Sequence, residues 1–124
     1  MAAVSDMIRA LYHIQLAHPA GAEAAMRSFY CDLLGMTEIP KPAPLQGRGG
    51  FWASAAGLGV HFGVDPDFRP ATKAHPAFVV ADLDAMARRL TTAGHPVIRD
   101  DSLPGIRRFF TTDPVGNRIE MMAG

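Results

Sequence analysis

The chain repeats itself at a separation of 59 residues. Gly35 answers Gly94, Gly57 answers Gly116, Arg48 answers Arg107, Phe51 answers Phe110, and His61 answers Glu120. Ahead of the first helical stretch the separation becomes 62, pairing His13 with His75, as though the first copy carried three extra residues. A repeat of this length means that one supersecondary unit is built twice, and this constrains the fold more than composition does. It also puts four candidate metal ligands, His13, His61, His75 and Glu120, at related positions.

Each copy reads as strand, helix and three strands. Leu11 to Ala17 alternates, with Tyr12, Ile14 and Leu16 on one face and His13, Gln15 and Ala17 on the other. Pro19, Ala20 and Gly21 open a helical stretch whose apolar stripe is Ala22, Ala25, Met26, Phe29 and Leu33, and Gly35 ends it. Strands follow near Thr37 to Ile39, Gly50 to Ser54 and Leu58 to Val64. Between the first two of these, Pro40 to Gly49 carries three prolines and reads as a mobile loop or lid. The second copy begins with the alternating His75 to Val80. Asp82 is a helix N-cap, Leu83, Met86, Ala87 and Leu90 form the stripe, and Gly94 ends the helix. Strands at Val97 to Arg99, Arg107 to Thr112 and Arg118 to Met122 complete the unit, the last two joined by the turn Asp113-Pro114-Val115-Gly116-Asn117.

The fold class is therefore α+β, two βαβββ modules: module one over about residues 8–65, a linker over about 66–74, and module two over about 75–124. At 124 residues the chain is one domain, or two small halves sharing one core, because neither half alone could easily bury its sheet. Pairing of halves across a dimer would serve the same end.

Lys plus Arg balances Asp plus Glu at 12 each, which excludes the basic footprint of a nucleic-acid or polybasic membrane partner. No run of about 18 apolar residues occurs. Met1 to Ala10 carries Asp6 and Arg9 and lacks the apolar stretch of a secretion signal. Cys31 is the only cysteine, which suits a reducing compartment and a structural role for its thiol. The expectation is a cytoplasmic protein.

Strand alternation sharpens the four ligand positions. His13 lies opposite Ile14 and Leu16, and His61 shares its face with Gly59 and Gly63 while Val60, Phe62 and Val64 take the other. His75 lies opposite Phe78 and Val80, and Glu120 opposite Ile119 and Met121. All four point away from the helix-packed side. The glycines beside His61 are expected to leave room for something larger than a side chain. A lone strand histidine is usually solvated or hydrogen-bonded, but imidazoles and a carboxylate gathered on one face suit a divalent transition metal with open coordination sites. His18 and His95, beside prolines, are expected to be solvent-exposed. Arg107 and Arg108 could contact an anionic substrate. Of Phe51, Trp52, Phe109 and Phe110, at least half are expected in the core and the rest against a pocket.

These residues carry a resemblance. His13 in LYHIQLA, RSFYCDLLGM (Arg27 to Met36), His75 in HPAFVVADLDA and the closing FFTTDPVGNRIEMM (Phe109 to Met122) make the chain similar to the vicinal oxygen chelate superfamily, which groups glyoxalase I, extradiol dioxygenases, fosfomycin-resistance thiol transferases, methylmalonyl-CoA epimerase and bleomycin-resistance proteins. The resemblance covers about Leu11 to Met122. It implies two βαβββ modules whose curved mixed sheets form a cup around a divalent metal ion (Zn, Ni, Mn or Fe), with His13, His61, His75 and Glu120 as ligands. It implies a homodimer whose cups take one module from each chain, so that one chain alone holds no complete site.

The functional expectation is a metal-dependent enzyme that chelates a small oxygen-rich substrate for isomerisation, lyase, thiol-transfer or dioxygenase chemistry. Glu120 or His61 would serve as base. Glyoxalase I carries a carboxylate where this chain has His61, which counts against a glutathione-hemithioacetal isomerase. The alternative is a binding protein that sequesters a drug or metabolite in the same cup, as bleomycin-resistance proteins do.

Overall fold

The computed structural model describes residues 3–124, so the first two residues of the Met1 to Ala10 stretch lie outside the described residues. After a short 3-10 turn at Val4–Asp6, the chain builds strand β1 (His13–His18), helix α1 (Glu23–Arg27) continued by a π-helical segment (Ser28–Leu33), β2 (Thr37–Ile39), β3 (Phe51–Ala55) and β4 (Leu58–Val64). The second module repeats this with β5 (Ala77–Val80), α2 (Leu83–Thr92), β6 (Ile98–Arg99), β7 (Arg108–Thr112) and β8 (Arg118–Ala123). Two four-stranded mixed sheets result, ordered β1-β4-β3-β2 and β5-β8-β7-β6. No helix among the described residues is long and apolar enough to cross a membrane.

Register explains the echo and corrects part of it. In the first sheet the edge strand runs parallel to its neighbour with Gln15 opposite His61, and in the second Ala77 lies opposite Glu120. Gln15 and its counterpart Ala77 are 62 residues apart and His61 and its counterpart Glu120 are 59 apart, the two separations seen in the sequence. Gly35 and Gly94 both sit at positive φ just past their helices, the backbone that closes a helix in the left-handed conformation. The pairing of Phe51 with Phe110 does not hold. Trp52 lies opposite His61 and Phe110 opposite Glu120, so Trp52 is the counterpart of Phe110 and Phe51 that of Phe109. The second module has one more residue in its last hairpin, which shifts the separation by one on the far strand.

Three local expectations are also revised. Pro40 to Gly49 is not an open loop throughout, because Ala43–Arg48 forms a 3-10 helix with proline in its first turn. The first helix widens after Arg27, where Leu34 N–H reaches back to Phe29 C=O, a five-residue step. His75 precedes β5, which starts at Ala77.

The inward faces of both sheets and one stripe of each helix merge into one core. Leu16, Phe51, Ala53, Val60 and Phe62 come from the first sheet, Phe109, Ile119 and Met121 from the second. Met26, Phe29, Tyr30, Leu83, Ala87 and Leu90 come from the helical segments. Asp82 caps α2 by accepting from Ala85 N–H at 2.9 Å. Arg89 on α2 donates to the carbonyls of Asp32 and Leu33 at the end of the first helix, where cations are favoured.

A buried polar clasp ties the modules. Asp113 Oδ2 accepts from Tyr30 O–H at 2.7 Å and from Asn117 Nδ2 at 2.9 Å, while its Oδ1 accepts the backbone N–H groups of Val115 and Asn117. Asn117 also donates to Ala17 C=O on β1 and accepts from Ala71 N–H in the linker. Burial, reinforced by the Asp113 charge, raises the Tyr30 hydroxyl well above its ordinary pKa, so it stays a donor. The Asp-Pro-Val-Gly-Asn turn thus joins the second module to the first.

Candidate metal centre

On the open face of the second sheet, His75 and Glu120 meet. His75 Nε2 lies 2.9 Å from Glu120 Oε1, and His75 Nδ1 lies 2.8 Å from Lys73 C=O. A carbonyl only accepts, so Nδ1 carries the proton that orients the ring, as is usual for a metal-binding imidazole. Nε2 then turns its lone pair toward a carboxylate oxygen, unless a proton or another cation lies between them. Two donors about 2.1 Å from one ion at a right angle are about 3 Å apart, close to this separation. The pair therefore fits one divalent cation.

Glu120 is 5 % exposed, and its other oxygen accepts from Arg108 Nη1 at 3.3 Å. Arg108 Nη2 reaches Asp100 and Ser102. The hydrogen bonds from Ser102, aided by Arg108, hold the Asp100 carboxyl below its ordinary pKa. Arg108 thus orients Glu120 rather than standing open to an anionic substrate. Arg107 pairs with Asp84 at 2.8 Å.

On the open face of the first sheet, His13 and His61 also meet, but as a stack. Their rings lie 4.1 Å apart at 19°, and the other face of His61 lies on Trp52 at 3.7 Å and 3°. His61 is 6 % exposed. Burial, with His13 beside it, lowers the His61 pKa, so the ring is held neutral. The glycines flanking His61 do not leave open room. A Cβ on Gly59 would lie 3.2 Å from His13 Cβ, and one on Gly63 would strike the Gln15 amide. The absent side chains are replaced by His13 and Gln15.

The structure thus brings the four expected residues together in two pairs. Among the described residues of one chain, no three His, Cys, Asp or Glu side chains gather closely enough to hold an ion. His18 is not solvent-exposed: it is fully buried on the core face, its Nδ1 at 2.8 Å from Pro19 C=O. His95 is half-buried, edge-on to Phe29 at 4.8 Å. Phe51 and Phe109 enter the core, while Trp52 and Phe110 face the open side. Sequence reasoning missed Arg118, which shares the face of Glu120 two residues earlier and lies over the Phe110 ring at 4.0 Å. Strand parity alone would have found it.

The family model of the Glyoxalase-like domain matches residues 15–122. The fold is similar to the crystal structure of a glyoxalase family protein from Bacillus anthracis, with 44% sequence identity, a TM-score of 0.90, and coverage of 94% of this chain and 96% of that one. It is also similar to a lactoylglutathione lyase from Agrobacterium tumefaciens (18% identity, TM-score 0.74, 95% and 96% covered). A fosfomycin resistance protein from Listeria monocytogenes is similar too (20% identity, TM-score 0.76, 95% of each chain covered). At those two identities the likeness is one of fold. No curated protein matches the chain. With a match spanning most of its length and a close structural relative, the chain belongs to the glyoxalase-like family of the vicinal oxygen chelate superfamily.

Proposed function

We propose that the protein is a metal-dependent enzyme acting on a small oxygen-rich molecule, with His13, His75 and Glu120 as ligands. The observation that carries this is the His75–Glu120 pair, 2.9 Å apart, with the far nitrogen of the imidazole fixed by Lys73 C=O. The divalent ion would supply Lewis-acid stabilisation of negative charge on two substrate oxygens. Arg108 fixes the carboxylate of Glu120, the Trp52 stack fixes the His61 ring beside His13, and burial lowers the pKa of that ring, which serves as a fourth ligand or as the proton acceptor. Glu120 is the other candidate base.

The two pairs lie on separate sheets of one chain. The complete site is therefore assigned to a homodimer, with His13 and His61 from one protomer facing His75 and Glu120 from its partner. The fold relatives named as a lyase and a resistance protein support small-molecule chemistry in such a site.

The test is metal binding by the purified dimer, read as ions per chain and as affinity for Mn, Fe, Zn and Ni. His75→Ala and Glu120→Gln are expected to weaken binding by more than the roughly 10–100-fold that loss of a supporting partner costs. Mixing the His13→Ala and His75→Ala proteins should restore metal, because a mixed dimer keeps one intact site. No restoration would overturn the shared site. Unchanged metal content in both single variants would overturn this ligand set, and a parent protein that binds none of these ions would leave the sequestering protein as the reading.

A further inference from the structure

Beside the His75–Glu120 pair, the open face of the second sheet holds a cavity of about 440 Å³, lined among others by Pro96, Ile98, Phe110, Thr112 and Arg118. Two of its four charged side chains already have partners. Arg99 pairs with Asp84 at 3.6 Å, and Asp100 is bonded by Arg108 and Ser102. Arg118 differs. Its guanidinium lies 4.0 Å from the Phe110 ring centroid, and no hydrogen bond or ion pair joins it to another described side chain.

Stacking sets what such an arginine can do. A guanidinium lying on a ring uses one face, while its N–H donors project from the edge in the plane of the group. The aromatic face removes water from one side and fixes the orientation, so less entropy is lost when the edge binds a ligand. An edge of this kind matches two oxygens of a carboxylate or phosphonate. Ile98 is 63% exposed at the same cavity, an apolar wall without a covering side chain. On β8, Arg118 and Glu120 share a face about 7 Å apart.

We infer that Arg118 is the oxyanion receptor of the site and that the substrate is an amphipathic anion, its carboxylate or phosphonate on Arg118 and its apolar body against Ile98 and Pro96. This deepens the proposed function and rests on it for the identity of the site. Anion binding itself needs only Arg118 and the cavity, so it is measured on metal-free protein. Asp101, exposed at the rim, is the only other carboxylate of this cavity outside the bonded set, and it opposes the anion.

The experiment titrates the metal-free dimer with benzoate and with phenylphosphonate, using benzamide and benzyl alcohol as neutral controls. Melting temperature and the Arg118 Nε–H resonance are followed. The expected result is a rise in melting temperature and a shifted Arg118 signal with at least one of the two anions and with neither neutral compound. Which anion binds more tightly separates a carboxylate from a phosphonate substrate. Arg118→Gln should weaken anion binding at least about tenfold, Arg118→Lys should weaken it less, and Asp101→Asn should strengthen it. Arg27→Gln, on the first module, should bind as the parent protein does. Benzamide binding as well as benzoate, or undiminished anion binding in both Arg118 variants, would overturn the inference. Metal content of Arg118→Gln is expected to stay normal, so loss of anion binding is read separately from loss of metal.

Discussion

In the first module the strand beside the edge carries His61, with Trp52 opposite it on β3; in the second, the same positions carry Glu120 and Phe110. Two residues earlier the contrast recurs, with Gly59 in the first module and Arg118 in the second. The glycine lets the His13 ring fold onto His61, and the two rings stack. The arginine brings a cation to the corresponding place, beside a carboxylate that already holds Arg108 and His75. One topology therefore produces a face of two stacked imidazoles and a face where a carboxylate, an imidazole and two guanidinium groups gather. In the proposed shared site the two faces meet, and the second module also carries the proposed anion subsite.

The turns between the last two strands differ as sharply, and they give the largest test of the comparison. The second module's turn is a buried network, whereas the first module's is two residues, Ala56 and Gly57, joining β3 and β4. Asn117→Ala removes the donor to Ala17 C=O and Asp113 and the acceptor of Ala71 N–H. Each buried group left without a partner costs about 1–3 kcal/mol, so the variant should lose about 3 kcal/mol. In a chain of this size that lowers the melting temperature by about 10 °C. A change below about 1 kcal/mol would mean that the turn does not hold the modules together.

A smaller effect should follow at Gly59, where the contrast between the modules can be broken with one methyl group. In Gly59→Ala the added Cβ would sit 3.2 Å from His13 Cβ and 3.4 Å from His61 Nε2. The stack must loosen, at a cost of about 1 kcal/mol in overpacking. If His13 is a ligand, metal affinity should fall by up to about fivefold, which is the same free energy expressed on binding. Stability lost without any change in metal affinity would confine His13 to packing.

Much of this was legible in the sequence because it depends on parity and on turn residues. The βαβββ plan followed from glycine stops and alternation, and the open-face placement of His13, His61 and Glu120 from a period of two. His18 shows that the same rule was available but outweighed: Ile14, Leu16 and His18 share a parity, and the adjacent Pro19 drew the residue wrongly toward solvent. The clasp was not legible. The Asp-Pro-Val-Gly-Asn turn declares itself as a turn, but its bond to Ala17 spans 100 residues of chain. Nor was the His61 stack, since a glycine beside a histidine reads equally as space for a ligand or for another side chain.

The smallest prediction concerns Ala56. Its φ is +50°, the only positive value at a non-glycine residue among those described, and Gly57 follows at +80°. A two-residue hairpin with both central residues left-handed is the turn in which Asn-Gly is strongly preferred, because its twist matches that of the strands. Alanine has no side-chain oxygen to stabilise this conformation and carries the clash of its Cβ with the backbone. Ala56→Asn should therefore stabilise the protein by about 0.5–1 kcal/mol, measured by urea unfolding, with an unchanged dependence on denaturant. Metal affinity should be unaltered, since the substituted residue lies in the turn before β4, outside the strand that carries His61. A destabilised variant would show that the first hairpin, like the second, is held by contacts outside its own two residues, and the contrast between the two turns would disappear.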